Sequence, residues 1–140
     1  MVRILVPTDF SASAEQALNL ARKMVPDARI KLVHVFDAGA AFTPYMDALS
    51  PAYVLQETQE HIKDAAMKRL RDVQYQGEEV LFVTGRPADE ILKAAKDFVA
   101  DYIFMGTHGR KGLNHFFSGS VAEAVVRSSP IPVMVVRDPH

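Results

Sequence analysis

The sequence predicts an α/β fold, a single open parallel β-sheet with helices on both faces. Three observations carry that expectation. Five short apolar runs alternate with segments of helical periodicity, giving the order βαβαβαβαβ. Pro26, Gly85-Arg86-Pro87 and Pro130 fall at junctions between those segments. The 140 residues contain no internal repeat, low-complexity tract or linker, so one domain over 1–140 is expected. Parallel strands joined through helices require right-handed crossovers, which places helices above and below the sheet.

Each element has its own reason. Val2 to Pro7 is short and rich in apolar and β-branched residues, as a buried strand is. Asp9-Phe10-Ser11-Ala12-Ser13 supplies helix-start chemistry, with Ser13 and Gln16 at capping-box spacing. Ala14, Ala17, Leu18, Ala21 and Met24 then recur at helical intervals until Pro26. A second strand is read through Ile30-Lys31-Leu32-Val33-His34-Val35-Phe36, and a long helix from Tyr53 to Tyr75 with Ile62, Ala66, Leu70 and Val73 as its stripe. Between them, Asp37 to Pro51 is the least regular stretch. Glu79 to Val83 reads as the third strand, and Pro87 suits the first turn of the helix carrying Ile91, Leu92, Ala95 and Phe98. Tyr102 to Met105 is the fourth strand, opening into a glycine-rich loop from Gly106 to Gly119. A short helix, Ser120 to Ser129, presents Val121, Ala124 and Val125, and Val133 to Val136 closes the fold. Pro132 cannot donate to a ladder, which predicts that this last strand lies at a sheet edge. An apolar edge left bare invites pairing, so a homodimer through the C-terminal strand is expected.

Bulk composition narrows the function classes. Apolar residues at 49% and charged residues at 24% describe an ordinary globular domain, large enough to bury about two-thirds of its unfolded surface. A net charge of -1 gives no long-range field for nucleic acid or a membrane surface, so neither partner is expected. The absence of cysteine excludes disulfides, thiolate zinc sites and thiol nucleophiles. The opening run is too short for a signal-peptide core and no window reaches bilayer length, so a cytoplasmic location without membrane insertion is expected.

The chemistry concentrates in Gly106-Thr107-His108-Gly109-Arg110-Lys111-Gly112 and its continuation to Ser118-Gly119-Ser120. In an open parallel sheet, ligands bind beyond the carboxyl ends of strands where the strand order reverses. This loop leaves such an end and feeds a helix N-terminus, whose N–H groups and dipole favour phosphate. Gly106 and Gly109 are expected to take positive φ and admit close backbone approach. Arg110 and Lys111 add positive charge, and Ser120 adds a hydroxyl. The alternatives on spacing alone are a plain turn and a simple N-cap at Ser120. Neither GxxxxGK[ST] nor GxGxxG occurs in the loop, which argues against a P-loop kinase or a Rossmann dehydrogenase, and no GxSxG marks a hydrolase elbow.

Gly106-x2-Gly109-x9-Gly119-Ser120 resembles the G-2x-G-9x-G-[S/T] signature of ATP-binding universal stress proteins. Ile4-Leu5-Val6-Pro7-Thr8-Asp9-Phe10-Ser11, Val33-His34-Val35, Gly85-Arg86-Pro87-Ala88-Asp89-Glu90-Ile91 and Ser129 to Val136 agree with it, in order along the chain. The resemblance implies a five-stranded sheet of order 3-2-1-4-5, adenine nucleotide alpha hydrolase-like, with Asp9 across the cleft from Gly106. It also implies ATP, or AMP or ADP, as ligand, with Mg²⁺ or Mn²⁺ on the phosphates rather than on protein side chains. Carried onto this chain, Pro7, Thr8, Asp9 and Val35 would surround base and ribose. Met105, Gly106, His108, Gly109, Arg110, Gly119, Ser120 and Val121 would line the ribose and phosphates. A homodimer through the last strand, serving as a stress-response or regulatory module, is implied as well.

Other readings compete. Ser118 or Ser120 with His108 or His115 and Asp9 could compose a triad on paper, but no known order matches. Slow ATP hydrolysis is the more plausible chemistry, although no base for water and no P-loop lysine is identified; no catalytic residue is assigned. His108 and His115, seven apart, follow no recognised metal pattern. His34 is read as packed or hydrogen-bonded, and Met24, Met105 and Met134 as core. Asp9 has a second reading as a turn or capping residue. The rival in another class is a nucleotide-free module acting through an unidentified protein partner. Ala38 to Ala52, with Phe42, Tyr45, Met46 and Leu49, is read as a hydrophobic flap or a lid.

Overall fold

The computed structural model describes residues 1–37, 52–107 and 119–137. The flap residues Phe42, Tyr45, Met46 and Leu49, and the loop residues His108, Gly109, Arg110, His115 and Ser118, lie outside the described residues. In chain order the elements are β1 (Arg3–Pro7), α1 (Ala12–Met24), β2 (Arg29–Phe36), α2 (Ala52–Val73), β3 (Glu79–Thr84), α3 (Pro87–Phe98), β4 (Tyr102–Thr107), α4 (Gly119–Ser128) and β5 (Val133–Arg137). The strands form one sheet in the order β3-β2-β1-β4-β5. Every pairing is parallel.

The period-2 alternation of the strands sorts their side chains onto two cores. Leu5, Val33, Val35, Ile103 and Met105 point to one face, where Ile91, Ala95 and Phe98 of α3 and Ala122 and Val125 of α4 cover them. Ile4, Val6, Ile30, Leu32 and Phe104 point to the other, under Ala17, Leu18 and Ala21 of α1 and Leu70 of α2. Burying one such Leu, Ile or Val stabilises the fold by about 1.5–3 kcal/mol, and both faces must be covered for a parallel sheet to be stable.

The structure revises several expectations about local chemistry. The N-cap of α1 is Ser11, whose hydroxyl accepts from the Ala14 N–H at 3.3 Å; Ser13 is the second residue of the helix, buried, with its Oγ 3.2 Å from that of Ser11. The helix starts earlier than the Ser13–Gln16 spacing implies because Asp9 and Phe10 already turn the chain. Met24 is 53% exposed, at the end of α1 where the apolar stripe has rotated out of the core. Met105 is fully buried, but Met134 is 37% exposed because β5 is an edge strand with one bonded neighbour. On α4 the inward residues are Ala122 and Val125, with Val121 packed at the margin. The edge position of β5 agrees with the reading of Pro132, whose carbonyl accepts from the Ile103 N–H at 3.1 Å just before the strand begins.

Gly106 is the most instructive correction. It lies within β4, in register with Val136, and not in the loop. The described glycines with positive φ are Gly77 and Gly85. Its need for glycine is steric: a Cβ there would stand 2.4 Å from the Ser13 carbonyl carbon and 2.5 Å from the Ala14 nitrogen. The end of β4 and the first turn of α1 therefore meet backbone to backbone.

Candidate functional site

The strand order reverses between β1 and β4, since β1 leads outward to β2 while β4 leads outward to β5. The β1–β4 register comprises Ile4–Tyr102 and Leu5–Ile103, whereas β4 continues beside β5 as far as Thr107–Arg137. The bridged register of the two central strands ends at Leu5 and Ile103, and the reversal point at their carboxyl ends is where a sheet of this order forms its crevice. α4 runs back against the parallel strands, so its N-terminus rises on this same side.

The β1 wall of the crevice is tied down in detail. The Thr8 N–H donates to the Val33 carbonyl at 2.8 Å, continuing β1 by one residue. The Thr8 hydroxyl accepts from the Phe10 N–H at 3.0 Å, and an Asp9 carboxylate oxygen accepts from the Ser11 N–H at 3.0 Å. Asp9 thus closes an Asx turn, the role its sequence context allows beside a ligand contact. Phe10 takes φ 65, a left-handed conformation for a bulky residue. Its ring is held on one side by the Arg69 guanidinium at 4.2 Å and on the other by the His34 ring at 4.8 Å. His34 in turn meets Phe82 at 5.9 Å, and its Nδ1 lies 2.8 Å from the Thr8 carbonyl oxygen.

Burial pushes the His34 imidazole below its ordinary pKa of 6.5. The bond to Thr8 and the Asp9 carboxylate work against that, and the Arg69 cation adds to it. Sequence reading recognised His34 as packed or hydrogen-bonded; its link to Thr8, and the bracing of Phe10 by Arg69, were missed. A single imidazole in a run of apolar strand residues was the available signal.

The α4 wall is built differently. Gly119 and Ser120 open the helix and both are exposed. Among the described residues nothing lies within 4 Å of a Cβ placed on Gly119. The first turns of α2 and α4 carry no carboxylate, whereas α1 has Glu15 and α3 has Asp89 and Glu90 in theirs. Those acidic residues answer the positive ends of α1 and α3 from within, and no side chain of the first turn of α4 does the same.

Of the residues expected to line a ligand, Pro7, Thr8, Val35, Met105 and Gly106 are buried under the two walls. Val35 and Met105 are 0% exposed and belong to the α3–α4 core. Asp9 and Val121 are half-buried, and Gly119 and Ser120 stand at the surface. No group of three or more His, Cys, Asp or Glu able to hold a metal ion occurs among the described residues. No described helix is long and apolar enough to cross a membrane.

An open parallel sheet of order β3-β2-β1-β4-β5, covered by helices on both faces, defines an α/β protein of the adenine nucleotide alpha hydrolase-like fold. The model of the universal stress protein family matches residues 1–137, and the chain belongs to that family. Universal stress protein MJ0577 of Methanocaldococcus jannaschii is 31% identical over 153 residues, covering 96% of this chain and 94% of that protein. The solved structure of MJ0577 matches with TM-score 0.65 at 33% identity, covering 99% of this chain and 97% of that one. Universal stress protein UspA from Lactobacillus plantarum matches with TM-score 0.68 at 27% identity, covering 97% of each chain. Two further structures share the fold. One is a universal stress protein in complex with cAMP, 22% identical with TM-score 0.60, covering 97% of this chain and 96% of that one. The other is the Archaeoglobus fulgidus protein in complex with dAMP, 24% identical with TM-score 0.57, covering 97% and 98%.

Proposed function

We propose that this chain binds an adenine nucleotide, ATP or its ADP and AMP relatives, in the crevice between β1 and β4. The carrying observation is the first turn of α4. It begins with the exposed Gly119 and Ser120 and is free of carboxylates, at the point of the fold where a parallel sheet receives ligands. The Gly106-x2-Gly109-x9-Gly119-Ser120 spacing supports the same reading, as do the fold relatives in complex with cAMP and dAMP. Base and ribose would lie toward Asp9, and phosphates toward Gly109, Arg110, Gly119 and Ser120. Mg²⁺ or Mn²⁺ would ride on the phosphates. Ligand occupancy then stabilises the crevice by mass action, which suits a stress-response or regulatory module better than a catalyst.

The test is calorimetric titration of nucleotide-free protein with ATP and Mg²⁺. Micromolar affinity is the expected result. No heat and no saturation would transfer the function to a nucleotide-free interaction module.

The same reading includes a homodimer through β5. Its support is an edge strand exposing Met134 and Val135 at 37% each, beside Val126 on α4 at 51%. Val135→Glu should convert a dimer seen by sedimentation into a monomer with unchanged circular dichroism. A wild-type chain that sediments as a monomer at all concentrations removes this part of the proposal.

A further inference from the structure

A histidine buried in a β-strand is a costly choice unless the imidazole does something an aliphatic side chain cannot. His34 is 7% exposed, between Val33 and Val35 in the sequence of β2. Its burial disfavours the charged form, and Val or Leu would fill the same strand position at no such cost. What the imidazole adds is a donor. Nδ1 lies 2.8 Å from the Thr8 carbonyl oxygen, and a carbonyl can only accept, so Nδ1 carries the proton.

That carbonyl belongs to the first residue beyond β1, where the chain leaves the sheet to make the turn bearing Asp9. The other polar groups of Thr8 are engaged by Val33 and Phe10, so the His34 bond completes the fixing of this peptide. The same ring supports the far side of the turn. Phe10 is held at φ 65, a conformation that a bulky residue keeps only when its surroundings insist on it. Those surroundings are a stack of Arg69, Phe10, His34 and Phe82, with separations of 4.2, 4.8 and 5.9 Å. His34 therefore grips both neighbours of Asp9, by hydrogen bond at Thr8 and by ring contact at Phe10.

We propose that His34 is a positioning residue for the nucleoside half of the ligand: it sets the direction of Asp9 without touching the nucleotide. The inference rests on the nucleotide-binding reading above and deepens it, because it divides the affinity between two ends of the crevice. Recognition of base and ribose depends on His34. Recognition of the phosphates, at the start of α4, does not.

Three variants separate the parts of this role. His34→Phe keeps a ring for Phe10 and removes the donor. His34→Asn brings an amide N–H close to the position of Nδ1, and His34→Gln carries its amide further, toward Nε2. Each is titrated by calorimetry with ATP and Mg²⁺, with adenosine, and with inorganic tripolyphosphate and Mg²⁺, after a thermal melt to confirm folding. His34→Phe should weaken ATP and adenosine by about tenfold and leave tripolyphosphate unchanged. His34→Asn should restore most of the adenosine affinity, as a merely space-filling role would not. If His34→Phe does not fold, His34→Asn should bind adenosine more tightly than His34→Gln. Equal adenosine affinity in wild type and His34→Phe, equal affinity in the Asn and Gln variants, or a parallel loss of tripolyphosphate would each overturn the proposal. A wild-type protein that binds neither ATP nor adenosine would instead overturn the nucleotide-binding reading itself, and this inference with it.

Discussion

On the β1 side of the crevice, Thr8, Asp9 and Phe10 are tied to one another, to Ser11 and to β2. On the α4 side, Gly119 and Ser120 are exposed and the helix start is left without an acidic residue. The first wall is fixed by its own hydrogen bonds; the second is exposed at Gly119 and Ser120 and has no first-turn carboxylate to offset the helix dipole. This division suits a molecule with a rigid aromatic end and a flexible charged tail. In the proposed complex the preorganised turn would meet the rigid end, and the positive end of the α4 dipole the charged one.

The largest effect comes from removing the rigidity. Gly106→Val would drive a side chain into the backbone of Ser13 and Ala14, both within 2.5 Å of the added Cβ. Overpacking of this kind costs typically about 1–3 kcal/mol, and backbone obstacles put this site at about 3 kcal/mol. Chemical denaturation should report that loss, and nucleotide affinity should fall with it because β4 and α1 frame the crevice together. A variant of wild-type stability would show that the two elements can part without cost.

Gly119→Ala tests the opposite wall. Its methyl meets nothing described within 4 Å, so stability should hold or rise by up to ~1 kcal/mol, as Gly to Ala does in helices. Affinity for ATP and Mg²⁺ should nevertheless drop about tenfold, because the methyl occupies the approach to the first-turn N–H groups. Affinity falling only in proportion to stability would erase the contrast between the walls.

The smallest effect is that of acid. His34 in the unfolded chain titrates near 6.5, and in the folded chain lower, because burial outweighs the Thr8 bond and the Asp9 carboxylate while Arg69 opposes protonation. Between those two values the unfolded state binds more protons, so stability is intact above 6.5 and declines as pH falls toward the folded value. Denaturation midpoints of wild type and His34→Asn, compared from pH 7.5 to 5, should show a shallower decline in the variant. Parallel curves would assign the acid sensitivity to another group.

Much of this architecture was legible from periodicity alone. Val33 and Val35 alternate with Leu32 and His34 along β2, and the fold honours that alternation by sending them to opposite cores. The edge position of β5 followed from one proline that cannot donate. The misreadings share a cause, which is that a local pattern cannot see what packs against it. Ser11 and Ser13 both suit a helix start, and the Asx turn at Asp9 decides between them. Gly106 looks like a loop glycine until β5 extends the strand past it and α1 comes to rest on it. Met24 and Met134 sit in apolar runs, yet one ends a helix and the other lies on an edge. For the candidate site, sequence singled out Asp9 and the Gly119-Ser120 helix start. It did not reveal that Arg69, far along the chain on α2, braces the turn at Phe10.

The contact between Gly106 and the first turn of α1 has a mechanical consequence. Side chains yield to a push by changing rotamer, but two backbones in contact have no such slack. The junction of β4 with α1 is therefore a stiff part of the frame. It holds the carboxyl end of β4 at a fixed distance from the helix start that follows the Asp9 turn, so neither element can shift without carrying the other with it.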